Sequence, residues 1–195
     1  MIYVFDLPEK KLSELISVAE VEKKLINEEL AGNIRKQISL DKYTYLLEDF
    51  LIEQLKNSRE LNDAVQKLNI LTNPTSLKLK ELWVNYQKKY EFNPFHNHSG
   101  IISFIIFGKI PFRMSDEHKV SPGVVAEKNL SGVLQFFYLS TNFKEPIKTR
   151  EFFIDQSWEG KGLMFFSNLN HLVYPFFSSD DYRITFSGNI FLKHE

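Results

Sequence analysis

The chain has 195 residues, 43% of them hydrophobic, no cysteine and a formal net charge of -1. Such a length and apolar content suit one sizeable packed domain, and the near-neutral balance supplies no broad basic field, so nucleic acid is not indicated as a partner. Without cysteine there are no disulfides, thiolate zinc sites or iron–sulfur clusters, and any metal must be held by histidine, carboxylate or another oxygen.

No apolar run reaches the roughly 18 residues a membrane helix needs; even IISFIIFGKIPF is interrupted by Gly108 and Lys109. The opening MIYVFDLPEKK does not read as a secretory leader, and the expected location is the cytoplasm.

In chain order, MIYVF reads as a strand. Asp6, with Glu9 three residues on, has the form of a capping box, and Leu12, Leu15, Ile16 and Ala19 then recur at helical spacing. Tyr43, Leu47, Phe50, Leu51 and Leu55 make a second stripe, Leu61, Val65 and Leu68 a third, and TNPTS at 72–76 closes the segment. Narrow stripes of this kind are packing surfaces rather than cofactor boxes. From Leu77 the helical period fades and β-rich runs follow: LWVNYQKKY, IISFIIFGKIPF, GVLQFFYLS, REFFID, GLMFF, HLVYPFF and YRITFSGNIFL. About seven or eight strands without regular intervening helices predict a jelly roll or a related β-sandwich, with the helices buttressing one sheet. RMSDEHKVSPGVVAEKN reads as a polar loop. The expected class is α+β, mainly β: one domain over 1–195, with 1–72 a helical support and 77–191 a cupin-like jelly-roll core.

Two of the five histidines stand one residue apart in NPFHNHSG. On extended backbone, imidazoles at i and i+2 project to one face with Cα atoms about 7 Å apart, a geometry that grips one metal ion. His-x-His also arises on exposed loops beside turn residues such as Asn93, Pro94, Ser99 and Gly100, so a third ligand decides the matter. His171 is the candidate, opening an apolar strand, with Arg183 twelve residues later beyond the turn-like SSDD. Arg183, Thr185, Ser187 and Asn189 share one face of their strand, and Ile184, Phe186 and Ile190 share the other. On the earlier strand Trp83, Asn85 and Gln87 alternate with Leu82, Val84 and Tyr86, and Ser103 is a polar gap in GIISFIIF that needs a partner. His118 and His194 read as solvated, the remaining aromatics as core, and Trp158 as a turn residue that could border the mouth of the site.

Together, LWVNYQKKYEFNPFHNHSGIISFIIFGKIPF and HLVYPFFSSDDYRITFSGNI resemble the 2-oxoglutarate- and iron(II)-dependent oxygenases, in a branch that includes virus-encoded members. The likeness is good over residues 77–112 and 160–191 and weak over the first seventy. It implies a double-stranded β-helix with iron at its mouth, and a cytoplasmic location that is the host's if the chain is virus-encoded. It also implies catalytic metal ligands at His96, His98 and His171, with His98 standing where the family pattern usually has a carboxylate. By the same resemblance Arg183 pairs with the far carboxylate of 2-oxoglutarate, and Thr185 contributes a hydroxyl beside it; a guanidinium fork suits that two-point contact. Asn85 and Ser103 are further candidates for contact with the co-substrate. Three neutral imidazoles leave the centre one unit more positive than two imidazoles and a carboxylate, and suit zinc, nickel and copper as well as iron.

The implied activity is that of a dioxygenase, a hydroxylase of a peptide or protein side chain or of a small molecule, using Fe(II), 2-oxoglutarate and O2. Two other readings accommodate the histidines: a three-histidine zinc hydrolase or hydratase, and a non-catalytic jelly-roll structural or binding module. The first leaves Arg183 without a role, and the second makes no use of the joint spacing.

Overall fold

Two antiparallel sheets face each other in the computed structural model, which describes residues 1–68, 76–140, 144 and 146–193. The first third supplies strand β1 (Ile2–Asp6), helix α1 (Glu9–Val21), strand β2 (Lys36–Ser39) and helices α2 (Glu48–Asn57) and α3 (Arg59–Lys67). The remainder supplies β3 (Leu77–Gln87), β4 (Asn93–His96), β5 (Ile102–Lys109), helix α4 (Met114–Val120), β6 (Leu134–Leu139), β7 (Ile147–Phe152), β8 (Lys161–Phe166), β9 (His171–Val173) and β10 (Arg183–Leu192). The large sheet runs β1-β8-β5-β10-β3-β2 and the small one β4-β9-β6-β7. This is the jelly-roll class that the β-rich runs predict.

The large sheet is covered on both faces, which explains why β5 is an almost unbroken apolar run. Its outward residues Ile102, Phe104 and Ile106, with Leu82, Val84, Phe186 and Ile190 from the neighbouring strands, pack against Leu15, Leu51, Leu55, Leu61 and Val65 of α1 to α3. Its inward residues Ile105, Phe107, Leu163 and Phe165 meet Leu134, Phe136, Phe152 and Val173 of the small sheet. The space between the sheets is therefore apolar beneath β5 and β8. Beneath β3 and β10 it is polar, because their inward positions carry Asn85, Gln87, Arg183, Thr185, Ser187 and Asn189. Close approach of strands is needed at Gly188, where a Cβ would collide with the Glu81 carbonyl oxygen and the Phe104 ring.

Four local expectations are corrected. Asp6 pairs with Lys161 at the end of β1 and caps nothing; Pro8 precedes α1 with no side-chain cap. The helical first third contains β2, whose alternation puts Gln37 and Ser39 on the inward side opposite Asn85 and Trp83. The stripe beginning at Tyr43 is divided between a 3-10 segment, Asp41–Leu46, and α2. The expected polar loop after Phe112 holds α4 and a 3-10 turn, Pro122–Val125, and the fully buried Glu117 carboxylate explains its position: it accepts backbone N–H groups from Phe177 (2.9 and 3.0 Å) and Ser178 (2.9 Å). Of the expected TNPTS break only Ser76 is among the described residues; the rest of it and His194 lie outside them. No helix among the described residues is long and apolar enough to cross a membrane.

Removing residues 1–76 would bare the outward face of β3, β5 and β10, several large apolar side chains each worth about 1.5–3 kcal/mol of burial. A chain beginning at Leu77 is expected to aggregate or unfold in size-exclusion and thermal-melt measurements; a monodisperse chain with a cooperative melt would contradict this.

Candidate metal centre

His96 ends β4 and stands directly opposite His171 of β9, so the cross-strand pairing itself brings these two imidazoles together. His98 lies two residues past the end of the strand rather than on it as the spacing implied, and its backbone N–H is fixed by the Ser167 carbonyl at 2.8 Å. One ring nitrogen from each of the three histidines lies within 4.8 Å of the others. The ring centroids are 4.3 to 5.0 Å apart.

The hydrogen bonds set the tautomers. His96 Nδ1 lies 2.6 Å from the Pro94 carbonyl and His171 Nδ1 3.0 Å from the Leu169 carbonyl; a carbonyl only accepts, so both Nδ1 atoms carry the proton and both Nε2 lone pairs are free. His98 Nε2 and His171 Nε2 stand 3.3 Å apart. Two imidazole nitrogens each about 2.0–2.1 Å from one ion are separated by roughly 3.0–3.4 Å, so the donor set fits a metal. The surroundings are apolar and aromatic: Phe136 and Phe165 flank His171, and Trp83 lies 5.7 Å from His98. Burial lowers all three pKa values. It takes His98 to about 3, with the neighbouring His96 as the second cause; it puts His171 well below the ordinary range, and it outweighs the Pro94 hydrogen bond that favours the charged form of His96. All three are neutral at pH 7.

Arg183 reaches the same 510 Å³ cavity from β10. It is 2% exposed; Nη1 donates to the Gly132 carbonyl at 3.1 Å, Nε is enclosed without a partner, and no carboxylate pairs with it among the described residues. Burial brings its pKa down to about 10, which still leaves it charged at neutral pH. An uncompensated buried cation is costly, and an anionic ligand in the cavity would relieve it. The residues therefore fit both a metal and a carboxylate co-substrate.

Thr185 lines the cavity, with its hydroxyl 3.2 Å from Asn85 Nδ2. Asn85 also lines it, but its amide is engaged: Oδ1 accepts from Gln37 Nε2 at 2.8 Å, and Nδ2 also donates to Ser187 at 3.4 Å. Ser103 is a correction. It lies outside the cavity lining, and its need for a partner is met internally by Asn189 Oδ1 at 2.6 Å and Ser167 Oγ at 2.8 Å. Trp158 does not border the cavity either; it packs on Phe107 and Phe152 in the dry half. His118 is half-buried against Phe153 rather than solvated, with Nε2 enclosed. Gln37 and Glu81, both lining the cavity, have no counterpart among the sequence candidates. The alternation Gln37, Ile38, Ser39, Leu40 was the available signal for the first.

Neutral buried histidines also set a pH dependence. In the metal-free protein the unfolded chain takes up protons below about pH 6.5 while native His98 resists until about 3, so their stabilisation is complete above about 6.5 and is lost as pH falls. The urea midpoint of the metal-free protein is expected to drop more steeply between about pH 7 and 4 than that of His98→Gln; parallel curves would contradict this.

A family model described as "Putative 2OG-Fe(II) oxygenase" matches residues 81–189. No curated protein matches the sequence. Among solved structures, a Pseudomonas putida prolyl-4-hydroxylase is similar with a TM-score of 0.52 at 13% identity, covering 100% of this chain and 92% of that one. A 2OG-Fe(II) oxygenase family oxidoreductase from Burkholderia pseudomallei has a TM-score of 0.47 at 9% identity, with 96% and 83% covered. The epimerase SnoN, in complex with Fe3+, alpha-ketoglutarate and nogalamycin RO, has 0.48 at 10% identity, with 97% and 78% covered. At such identities the structural likeness concerns the fold. The family match spans more than half of the chain and includes all three histidines and Arg183, and the chain belongs to the 2-oxoglutarate- and iron(II)-dependent oxygenases.

Proposed function

We propose that the protein is a hydroxylase that uses Fe(II), 2-oxoglutarate and O2 to oxidise a C–H bond of a peptide side chain or a small molecule. In this reading His96, His98 and His171 hold the metal, and Arg183, with Thr185 beside it, holds the distal carboxylate of 2-oxoglutarate. The observation that carries it is the buried, unpaired guanidinium of Arg183 in the cavity that the three free imidazole nitrogens line. A zinc hydrolase would have no use for that charge. The fold-level likeness to a prolyl-4-hydroxylase favours a peptide side chain over a small molecule.

The chain's own contributions follow from its geometry. The Pro94 and Leu169 carbonyls hold two imidazoles in the tautomer that presents Nε2. Phe136, Phe165 and Trp83 keep water from the histidines and fix their rings. The Gly132 carbonyl orients the guanidinium, and the Gln37–Asn85 amide pair orients the Thr185 hydroxyl. Iron(II) with 2-oxoglutarate and dioxygen supplies the oxidation, leaving succinate, carbon dioxide and the hydroxylated product.

Truncating one partner of a buried charge pair costs on the order of 2–5 kcal/mol, so Arg183→Ala is expected to weaken 2-oxoglutarate binding by well over tenfold. Arg183→Lys should also bind poorly, because an ammonium lacks the planar two-point fit. Metal content should be unchanged in both. Calorimetric titration of 2-oxoglutarate into metal-loaded wild type and both variants checks this, and equal affinity in all three would overturn the assignment.

A further inference from the structure

The cavity has two electrically opposite ends. Arg183 and Asn189 share one face of β10 and pair with Gln87 and Glu81 of β3, so six residues, roughly 20 Å at about 3.3 Å per residue, separate the arginine from the glutamate. The Glu81 carboxylate is half-buried and built in from below: the Ser103 hydroxyl donates to Asn189 Oδ1 at 2.6 Å, which turns the Asn189 amide so that Nδ2 donates to Glu81 Oε2 at 2.6 Å. Ser103 and Asn189 are 1% and 3% exposed, so the support is itself core. No cation pairs with Glu81 among the described residues. Asp41 and Glu29 line the same cavity, and its one lysine, Lys80, sits at the β-bulge beside Glu81 with its ammonium over the Phe191 ring at 5.1 Å.

An independent feature lies along the same cavity, between those ends: Gln37 stands opposite Asn85, whose partner on β10 is Thr185. Gln37 is 2% exposed and lines the cavity; its Nε2 is committed to Asn85, and its Oε1 is enclosed without a donor. Asn93 Oδ1, also on the lining, is enclosed without a donor too. Both oxygens flank Gly32, where a Cβ would stand 2.5 Å from Asn93 Oδ1 and 3.5 Å from Gln37 Oε1. Buried acceptors left without donors are costly, and a ligand carrying N–H groups would satisfy them.

Resting on the oxygenase reading above, we propose that the prime substrate is an organic cation, an amine or guanidinium held by Glu81, with further N–H groups that serve Gln37 and Asn93. The anionic co-substrate takes the Arg183 end and the cationic group of the substrate the Glu81 end, its further N–H groups reaching back toward Gln37 and Asn93, with the histidines facing the same cavity. A polyanion such as nucleic acid would meet Glu29, Asp41 and Glu81 at this end.

The test is calorimetric titration, without oxygen, of protein loaded with Fe(II) and 2-oxoglutarate, using N-acetyl-lysine amide, N-acetyl-arginine amide and the neutral N-acetyl-norleucine amide. Wild type should bind at least one cationic probe about tenfold or more tightly than the neutral one, and Glu81→Gln should erase that preference. Equal binding of cationic and neutral probes, no binding of either cation at millimolar concentration, or a preference that survives Glu81→Gln would overturn the proposal. Selectivity in the wild type decides alone should the variant fail to fold. Co-substrate binding is read in the same titrations: its absence sinks the oxygenase reading and this proposal with it, whereas 2-oxoglutarate binding without cation preference sinks this proposal only.

Discussion

The arrangement depends on a positive charge placed where folding alone gives it no counter-ion. Arg183 stands at the start of β10, the strand flanked by β3 and β5 near the middle of the large sheet, and the two sheets close over it. One carbonyl accepts the only hydrogen bond its guanidinium makes among the described residues. A protein without a use for that cation would be more stable with an apolar residue there, since replacing buried charge by packed hydrocarbon is often neutral or favourable. The division of the space between the sheets follows from it: the half beneath β5 and β8 is filled by aromatic side chains, and the half beneath β3 and β10 stays open and polar.

The three histidines answer that charge in a particular way. They are neutral, so in the proposed centre nothing in the first coordination sphere offsets the metal, and the metal and Arg183 both attract a dianion. The same lack of ligand charge would make a bound Fe(II) harder to oxidise than in a carboxylate-bearing centre. The hydrogen bonds that support the histidines come from backbone: the Pro94, Leu169 and Ser167 carbonyls hold two rings and the third residue's main chain. Such support survives side-chain substitution around it, but it requires the β4–β9 register, in which His96 faces His171.

What was legible in the sequence is what repeats with period two or sits at fixed spacing. The polar face of β10, the apolar run of β5, the His-x-His pair and the twelve residues from His171 to Arg183 all carry their information locally. What was hidden depends on partners distant in the chain. Helix α4 has no apolar stripe because its buried position is Glu117, whose partners are backbone N–H groups sixty residues away. Strand β2 has four residues and looks polar until β3 is beside it. Asp6 has a cap's spacing, but pairing with Lys161 keeps it in the strand. Ser103 reads as a candidate ligand contact because its actual partners, Ser167 just past β8 and Asn189 on β10, are brought near only by the fold.

The central claim, that a metal on His96, His98 and His171 and a 2-oxoglutarate on Arg183 occupy one site together, is tested most directly by visible absorption during anaerobic titration. Purified metal-free protein would receive Fe(II) and then 2-oxoglutarate. The account predicts a weak charge-transfer band that appears only when both are present and saturates at one equivalent of iron. No band, or a band that forms with iron alone and ignores 2-oxoglutarate, would contradict it.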